Sequence, residues 1–313
     1  QFLCNVPDAA RQSARVPDND PRQMASGLLI PAGTGCGHPS LGVLRDGSWV
    51  CVLTTAGSGG AKAAGQRVVS TVSRDKGKTW SPPVEIASAK GSGEGCAACL
   101  VTPFDRIYAF YTDGGDTVAA IPGQTNRVES SARGGCFFKH SDDGGATWAR
   151  ERNRIPFRAA GTAAHRFGGL GKPVVSDGGV CVAFTTRAEG GAEDEGWLAV
   201  SDNILAERNA GRVRFTVLPE SGNGIRNPEF GPVQRGHHLV ALGSNTLFCA
   251  YRTEGLPAQS VSRDGGRTWT LPERMTYGAG QRVIKADCAG VNVFRTRPGR
   301  FLACYRNSAV PPQ

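Results

Sequence analysis

Three copies of one eight-residue pattern, Ser-x-Asp-x-Gly-x-Thr-Trp, constrain this chain more than any other feature. They read Ser73-Arg74-Asp75-Lys76-Gly77-Lys78-Thr79-Trp80, Ser141-Asp142-Asp143-Gly144-Gly145-Ala146-Thr147-Trp148 and Ser262-Arg263-Asp264-Gly265-Gly266-Arg267-Thr268-Trp269. A short carboxylate accepts hydrogen bonds from the amides of its own turn, and glycine supplies positive φ without strain, so each copy predicts a tight hairpin. Thr and Trp suit the start of the following strand, with the indole covering the hairpin. The pattern is therefore a structural staple before it is anything catalytic.

The copies also set a period. They recur at roughly 60 to 70 residues, with one double-length gap. Ser201-Asp202-Asn203 fills that gap as a degenerate copy, ahead of the strand-like Val213-Arg214-Phe215-Thr216-Val217-Leu218. A second repeat agrees: five hairpin-like segments pair two apolar runs, at Leu41 to Leu53, Ala98 to Tyr111, Pro173 to Phe184, His238 to Tyr251 and Ala289 to Tyr305. Each unit thus holds two strands, a linker and two more strands joined by the box. Four-stranded units of this size arranged radially form a β-propeller, so the expected class is all-β. The repeat runs through 35–313 as one domain, after an N-terminal extension at 1–34.

The composition fits this reading: 43 Gly and 19 Pro make turns frequent, and no run of ten residues carries a convincing helical apolar period. The longest apolar stretches fall far short of the ~20 residues that cross a bilayer, so no membrane span is expected. The formal net charge is +9, but the basic residues are scattered and none forms an aromatic-interleaved run. A nucleic-acid partner is therefore not expected, while anionic glycans are.

Of the ten cysteines, Cys51, Cys181, Cys249 and Cys304 fall inside predicted strands and read as free core thiols. Cys96-Ala97-Ala98-Cys99 is a lone CxxC with no second pair, which argues against metal or redox chemistry. Cys4 and Cys36 are disulfide candidates if the chain is exported. The start Gln1-Phe2-Leu3-Cys4-Asn5 has neither a basic leader nor an apolar core, so a processed secreted protein and a cytosolic one both remain open.

The boxes resemble the Asp boxes, or bacterial neuraminidase repeats, of the sialidase superfamily. The resemblance covers roughly residues 35–306, and Arg152-Asn153-Arg154-Ile155-Pro156 after the second box adds to it. It implies a six-bladed propeller. Four boxes or remnants and five hairpins account for four blades and half of a fifth, so the resemblance implies a C-terminally incomplete propeller.

Sialidases of this fold hold the sugar carboxylate with three arginines, use a Tyr assisted by a Glu as nucleophile, and protonate through an Asp. Guanidinium forks match a carboxylate bidentately, which explains the arginines. By resemblance Arg252, closing the stretch from Leu242 through Tyr251, takes the second arginine's place, with Arg226 and Arg306 as further substrate-binding candidates. Where the first arginine is expected the chain reads Gly37-His38-Pro39-Ser40, so His38 is either a pH-dependent stand-in or a turn histidine. Residues 54–72 contain no Asp or Glu, which leaves the general acid without a carrier there. Glu229 is the nearest carboxylate for activating a Tyr or water, or else it clamps a loop with Arg226. The usual third-arginine and Tyr segments are expected beyond Gln313. His237 and His238 face opposite sides if extended, so no metal role is expected, and no cofactor is needed.

The resemblance implies a glycoside hydrolase that releases sialic or related acidic sugars from glycans. Two alternatives stay open: a noncatalytic propeller that binds glycans or proteins, and a lyase or uronate-directed hydrolase in which a His works as base.

Overall fold

The computed structural model describes residues 28–30, 35–55, 67–88, 96–113, 134–157, 165–188, 194–220, 224–226, 237–253, 256–278 and 280–307. The N-terminal extension up to residue 27, including Cys4, lies outside them, as does Glu229. The described residues form nineteen strands in five antiparallel sheets. Their one helical element is a 3-10 turn at Ala210–Arg212.

The first sheet is β1 (Gly37–Val43), β2 (Trp49–Thr55), β3 (Arg67–Ser73) and β4 (Val84–Ser88), in that order. The second repeats it with β5 (Ala97–Val101), β6 (Ile107–Asp113), β7 (Gly135–Ser141) and β8 (Asn153–Arg154). In the third, β10 (Val174–Ser176), β11 (Gly179–Ala188), β12 (Asp194–Ser201) and β13 (Thr216–Leu218) keep the order, and β9 (His165–Gly168) pairs with the far end of β11. The fourth holds β14 (His238–Gly243), β15 (Thr246–Tyr251), β16 (Ala258–Ser262) and β17 (Glu273–Arg274). The hairpin β18 (Ala286–Arg297) and β19 (Arg300–Asn307) is the fifth. Each four-strand meander matches the expected unit; β9 was not anticipated, because its partner lies too far along the chain for a local turn signal to mark it.

Alternation along the inner strands stacks these sheets in chain order. Val50 and Val52 of β2 pack with Ala97, Cys99 and Ile107 of the second sheet, while Cys51 and Leu53 face away from it, towards Ile30 and Trp80. Ala98, Leu100, Tyr108 and Phe110 turn to the third sheet and meet Val180, Val182 and Phe184. Cys181 and Ala183 then meet Leu239, Leu247 and Cys249 of the fourth sheet, whose Val240, Phe248 and Ala250 in turn meet Val291 and Val293 of the fifth. A strand buried on both faces reads as a continuous apolar run, and each large apolar side chain so buried contributes roughly 1.5–3 kcal/mol. Cys304 corrects one expectation. Ala303 and Tyr305 face the fourth sheet, so Cys304 points outward and is exposed, as is Leu302.

The first strands lie closest together. β1 touches β5, β10 touches β14 and β14 touches β18. Ser40 Oγ accepts from the Cys99 amide at 2.9 Å, and Lys172 Nζ reaches the Leu41 carbonyl at 3.2 Å.

All three boxes fold alike, in the loop between the third and fourth strands of a sheet. The serine Oγ donates to the aspartate (2.8, 2.7 and 2.8 Å) and accepts from the glycine amide four residues on (2.7, 2.9 and 2.7 Å). The aspartate also accepts from the threonine amide and hydroxyl. These bonds to Thr79 and Thr268 hold the Asp75 and Asp264 carboxyls down at about 2. Two successive residues have positive φ in every copy: Lys76 and Gly77, Gly144 and Gly145, Gly265 and Gly266. The second must be glycine for a further reason. A Cβ on Gly266 would lie 2.2 Å from Leu198 Cδ2 of the third sheet. The degenerate copy keeps the serine role, with Ser201 Oγ accepting from the Ile204 amide at 3.2 Å.

The tryptophans split two to one. Trp80 and Trp269 donate their indole N–H to the box glycine carbonyl at 3.1 and 3.0 Å, whereas Trp148 donates to Ser70 Oγ of the first sheet at 2.8 Å. Uniform packing was the expectation, and Trp148 departs from it by fastening the second sheet to the first.

Ser141 and Ser262 are buried and satisfy buried amides, so Ser141→Ala and Ser262→Ala should each cost about 1–3 kcal/mol through the orphaned N–H. Urea unfolding of both variants checks this; midpoints equal to the wild type would show that the boxes do not staple the sheets.

Candidate functional site

Antiparallel meanders give the stack two unlike ends. One carries the boxes and the turns between first and second strands. There the Asp105 carboxylate accepts from the Arg45 amide at 3.0 Å, and Asp177 accepts from the Asn245 amide, linking turns of adjacent sheets. The other end gathers the starts of the first strands and the ends of the second: His38, Cys96, Gly169 to Gly171 and His237, with Asp113, Arg187 and Arg252.

Charges at this second end are layered. Arg152 Nη1 pairs with Asp113 Oδ2 at 2.7 Å, Arg187 Nε with Asp194 Oδ1 at 2.6 Å, and Arg226 Nη1 stands 3.9 Å from Glu195 Oε1. In each pair the carboxylate is sunk, with 9, 16 and 18% of its side chain exposed, and the arginine is presented, with 51, 47 and 45% exposed. Water screens the outer partner and not the inner one, so the face seen by a ligand is more positive than the count of pairs suggests. Arg152 also lies 4.2 Å over the Phe137 ring, and Ile155 of the same stretch is buried between the second and third sheets. The Arg-x-x-Ile-Pro stretch therefore places one side chain in the core and another at this end.

Arg252 follows β15 directly and is half-buried. Among the described residues it has no ion-pair partner. Phe248 and Ala250 face the fifth sheet, so strand alternation sends Arg252 to that side, opposite Tyr251. Arg226 sits beside a two-way bridge, in which Gly196 and Ile225 exchange amide bonds at 2.9 and 2.8 Å. Its partner is Glu195, which also accepts from the Gly224 amide at 3.1 Å. The clamp expected between Arg226 and Glu229 thus has a described partner in Glu195. Arg306 lies in β19, with only its backbone described, and the position of Glu229 lies outside the described residues.

His38 is exposed, has φ 50°, and places Nε2 3.9 Å from the Sγ of buried Cys96. Burial pushes the Cys96 thiol up, and His38 beside it more than offsets this, leaving the thiol below its ordinary value. Cys99, three residues on, faces the first sheet, and burial pushes it to about 12. The two thiols of the CxxC therefore belong to different surroundings. Cys36 is exposed. Among the described residues, no three His, Cys, Asp or Glu side chains come together as metal ligands.

His237 and His238 do face opposite sides. His238 lies against Phe294 of the fifth sheet, while His237 stacks on Tyr251, ring centroids 6.2 Å apart, between the third and fourth sheets. Both ring nitrogens of His237 and the Tyr251 hydroxyl are buried without a hydrogen-bond partner. They line a cavity of about 20 Å³ with Trp197, Ile225 and Leu239, too small to admit a sugar ring. Burial holds His237 down at about 4 and pushes the Tyr251 phenol up. The remaining tyrosines are no more available: Tyr108 and Tyr111 are buried, and Tyr277 and Tyr305 bond each other through their hydroxyls at 2.7 Å.

With this geometry in view, the comparisons with known proteins can be read. No protein-family model matches the chain, and no characterised protein matches it by sequence. Solved structures do match. The Hadza microbial sialidase Hz136 superposes with a TM-score of 0.57 at 17% identity, over 82% of this chain and 48% of that one. Trypanosoma rangeli sialidase in complex with sialic acid gives 0.57 at 15%, over 86% and 43%. NanB sialidase from Streptococcus pneumoniae gives 0.55 at 13%, over 82% and 53%. The fold is sialidase-like. The chain spans about half the length of the sialidases it matches.

Sequence reasoning reached Arg252, Arg226 and His38 at one end of this sialidase-like fold, but missed Arg152 and Arg187. Arg187 had a local signal, since Asp194 stands directly opposite it across a hairpin. Asp113 and Arg152 are far apart in sequence, and only the folded second sheet brings them together.

His237 makes stability depend on acid. Its folded value of about 4 lies below the ordinary 6.5, so between these values the unfolded chain binds the extra proton and the fold loses stability as pH falls. The loss should reach about 3 kcal/mol by pH 4 and then level off for this group. Thermal melts of the wild type and His237→Phe across pH 4 to 7 should diverge in slope within this window, and parallel profiles would show that His237 is not buried neutral.

Proposed function

We propose that this protein recognises glycans ending in an acidic sugar, sialic acid or a relative, and that Arg252 grips the sugar carboxylate at the arginine-presenting end of a propeller built from the stacked sheets. The observation that carries this reading is Arg252 itself: a half-buried guanidinium at a strand end, without a carboxylate partner among the described residues, in a fold shared with sialidases. A guanidinium left unpaired in partly dry surroundings favours an incoming carboxylate, and the planar fork fixes its orientation. Arg226, paired with Glu195 at 3.9 Å and presenting 45% of its side chain, would lie beside the same anion. Arg306 would serve from the fifth sheet.

Hydrolysis of the glycosidic bond extends this reading. It requires a carboxylate to activate a nucleophile, the role assigned to Glu229, and an acid for the leaving oxygen, for which His38 is the exposed candidate at the same end. A second reading, binding without turnover, is favoured by the tyrosines. Among the described residues three tyrosines are buried and two are bonded to each other, so this span offers a grip on a sugar and no ready phenol. A lyase using His237 as base is disfavoured by the burial of that imidazole.

Calorimetric titration with N-acetylneuraminic acid tests recognition. Arg252→Ala should weaken binding at least tenfold, about 1.4 kcal/mol, with an unchanged melting temperature, and Arg252→Lys should recover only part of it. Equal affinity in wild type and Arg252→Ala would remove Arg252 from the site. Release of fluorophore from a fluorogenic sialoside separates hydrolysis from binding alone.

A further inference from the structure

A second cleft opens at the opposite, box-bearing end, between the second and third sheets. It has a volume of about 610 Å³ and is walled on one side by His140, Ala149, Arg150, Glu151 and Asn153, and on the other by Arg208 to Gly211. This volume falls in the ~300–1,000 Å³ range of small-molecule sites. His140 lies near the end of β7, towards the second box, whereas Asp113 pairs across from its first residue, Gly135.

Its walls are fixed in advance. Arg106 grips Asp142 with both arms, Nε to Oδ1 at 2.6 Å and Nη2 to Oδ2 at 2.8 Å, and its Nη1 donates to the Arg208 carbonyl. One guanidinium therefore ties the second sheet to the opposing loop. That loop is pinned again where Asn203 Nδ2 donates to the Arg212 carbonyl at 3.0 Å and Glu207 accepts from the Asn209 amide at 2.7 Å. The Arg208 guanidinium rests 4.5 Å over the Phe104 ring, which holds a solvent-facing cation in place.

The lining is polar and positive. Arg150 and Arg208 are exposed and have no ion-pair partner among the described residues, against the single carboxylate of Glu151. His140 borders the cleft with its Nε2 3.8 Å from Asp142 Oδ2. Asn153 supplies an amide. Ala149, Ala210 and Gly211 give the cleft small apolar surfaces between these polar groups, and the Phe104 face is covered by Arg208. Hydroxyl-rich ligands with an anionic group match such a lining.

We propose that this cleft is a second saccharide-binding site, taking a short acidic oligosaccharide whose carboxylate or sulfate lies between Arg150 and Arg208. The site is independent of the Arg252 reading, because it lies at the other end of the sheets and uses none of the same residues. Binding there would hold an extended acidic polysaccharide away from the first site without contributing to any chemistry at it.

The test is calorimetric titration of the full chain with tetragalacturonate, a heparin-derived tetrasaccharide and maltotetraose. At least one acidic ligand should bind and maltotetraose should not; the tighter acidic ligand assigns carboxylate or sulfate. Arg150→Ala/Arg208→Ala should weaken that binding at least tenfold. Arg150→Glu, which leaves the Phe104 contact intact, should do the same if the double variant unfolds. Arg263→Ala, at an exposed arginine on the third box, should stay within twofold of wild type. Failure of both acidic ligands to bind, wild-type affinity in the Arg150 and Arg208 variants, or an equal loss in Arg263→Ala would each overturn the proposal.

Discussion

Burial of both faces of the inner strands is the constraint on which the rest of this structure depends. β6, β11 and β15 each send alternate residues to the preceding and following sheets, so no sheet completes a core alone. Once neighbours must stack, each sheet has only its two ends left for solvent, and chemistry is confined to them. The meander order then decides which residues occur at which end. Turns and boxes collect at one; first-strand starts and second-strand ends collect at the other.

The boxes solve the problem that stacking creates. A loop from the third to the fourth strand must turn tightly and still lie against the adjacent sheet. The serine and aspartate satisfy the turn's amides internally, and a glycine at positive φ allows the backbone within van der Waals distance of Leu198 or Val72. These are local demands, and local demands are legible in sequence. The period, the meander, the two-sided apolar runs and the opposed His237 and His238 could all be read before folding. What could not be read depended on the neighbouring sheet: Trp148 reaching Ser70, β9 returning to β11, and Cys304 turning outward on the hairpin of β18 and β19. The arginine end was half legible. Arg252 came from the family resemblance, whereas the sunk Asp113 that turns Arg152 outward is brought to it only by the folded second sheet.

That layering of charge explains how a chain with scattered basic residues can still present a directed positive surface. Asp113, Asp194 and Glu195 hold their arginines in position from below, and the guanidinium faces remain available above. The arrangement gives a carboxylate ligand oriented donors whose side-chain entropy has already been lost in pairing. Arg252 differs in having no such carboxylate beneath it among the described residues. His237 and Tyr251, on the other side of β15, bring unpaired polar atoms into the wall between the third and fourth sheets.

The most direct measurement is a crystal structure of the protein soaked with N-acetylneuraminic acid. The account predicts the sugar at the end opposite the boxes, its carboxylate within hydrogen-bonding distance of the Arg252 guanidinium, with the box-bearing loops unchanged. Sugar density elsewhere, with Arg252 turned away from it into a protein contact, would contradict the account.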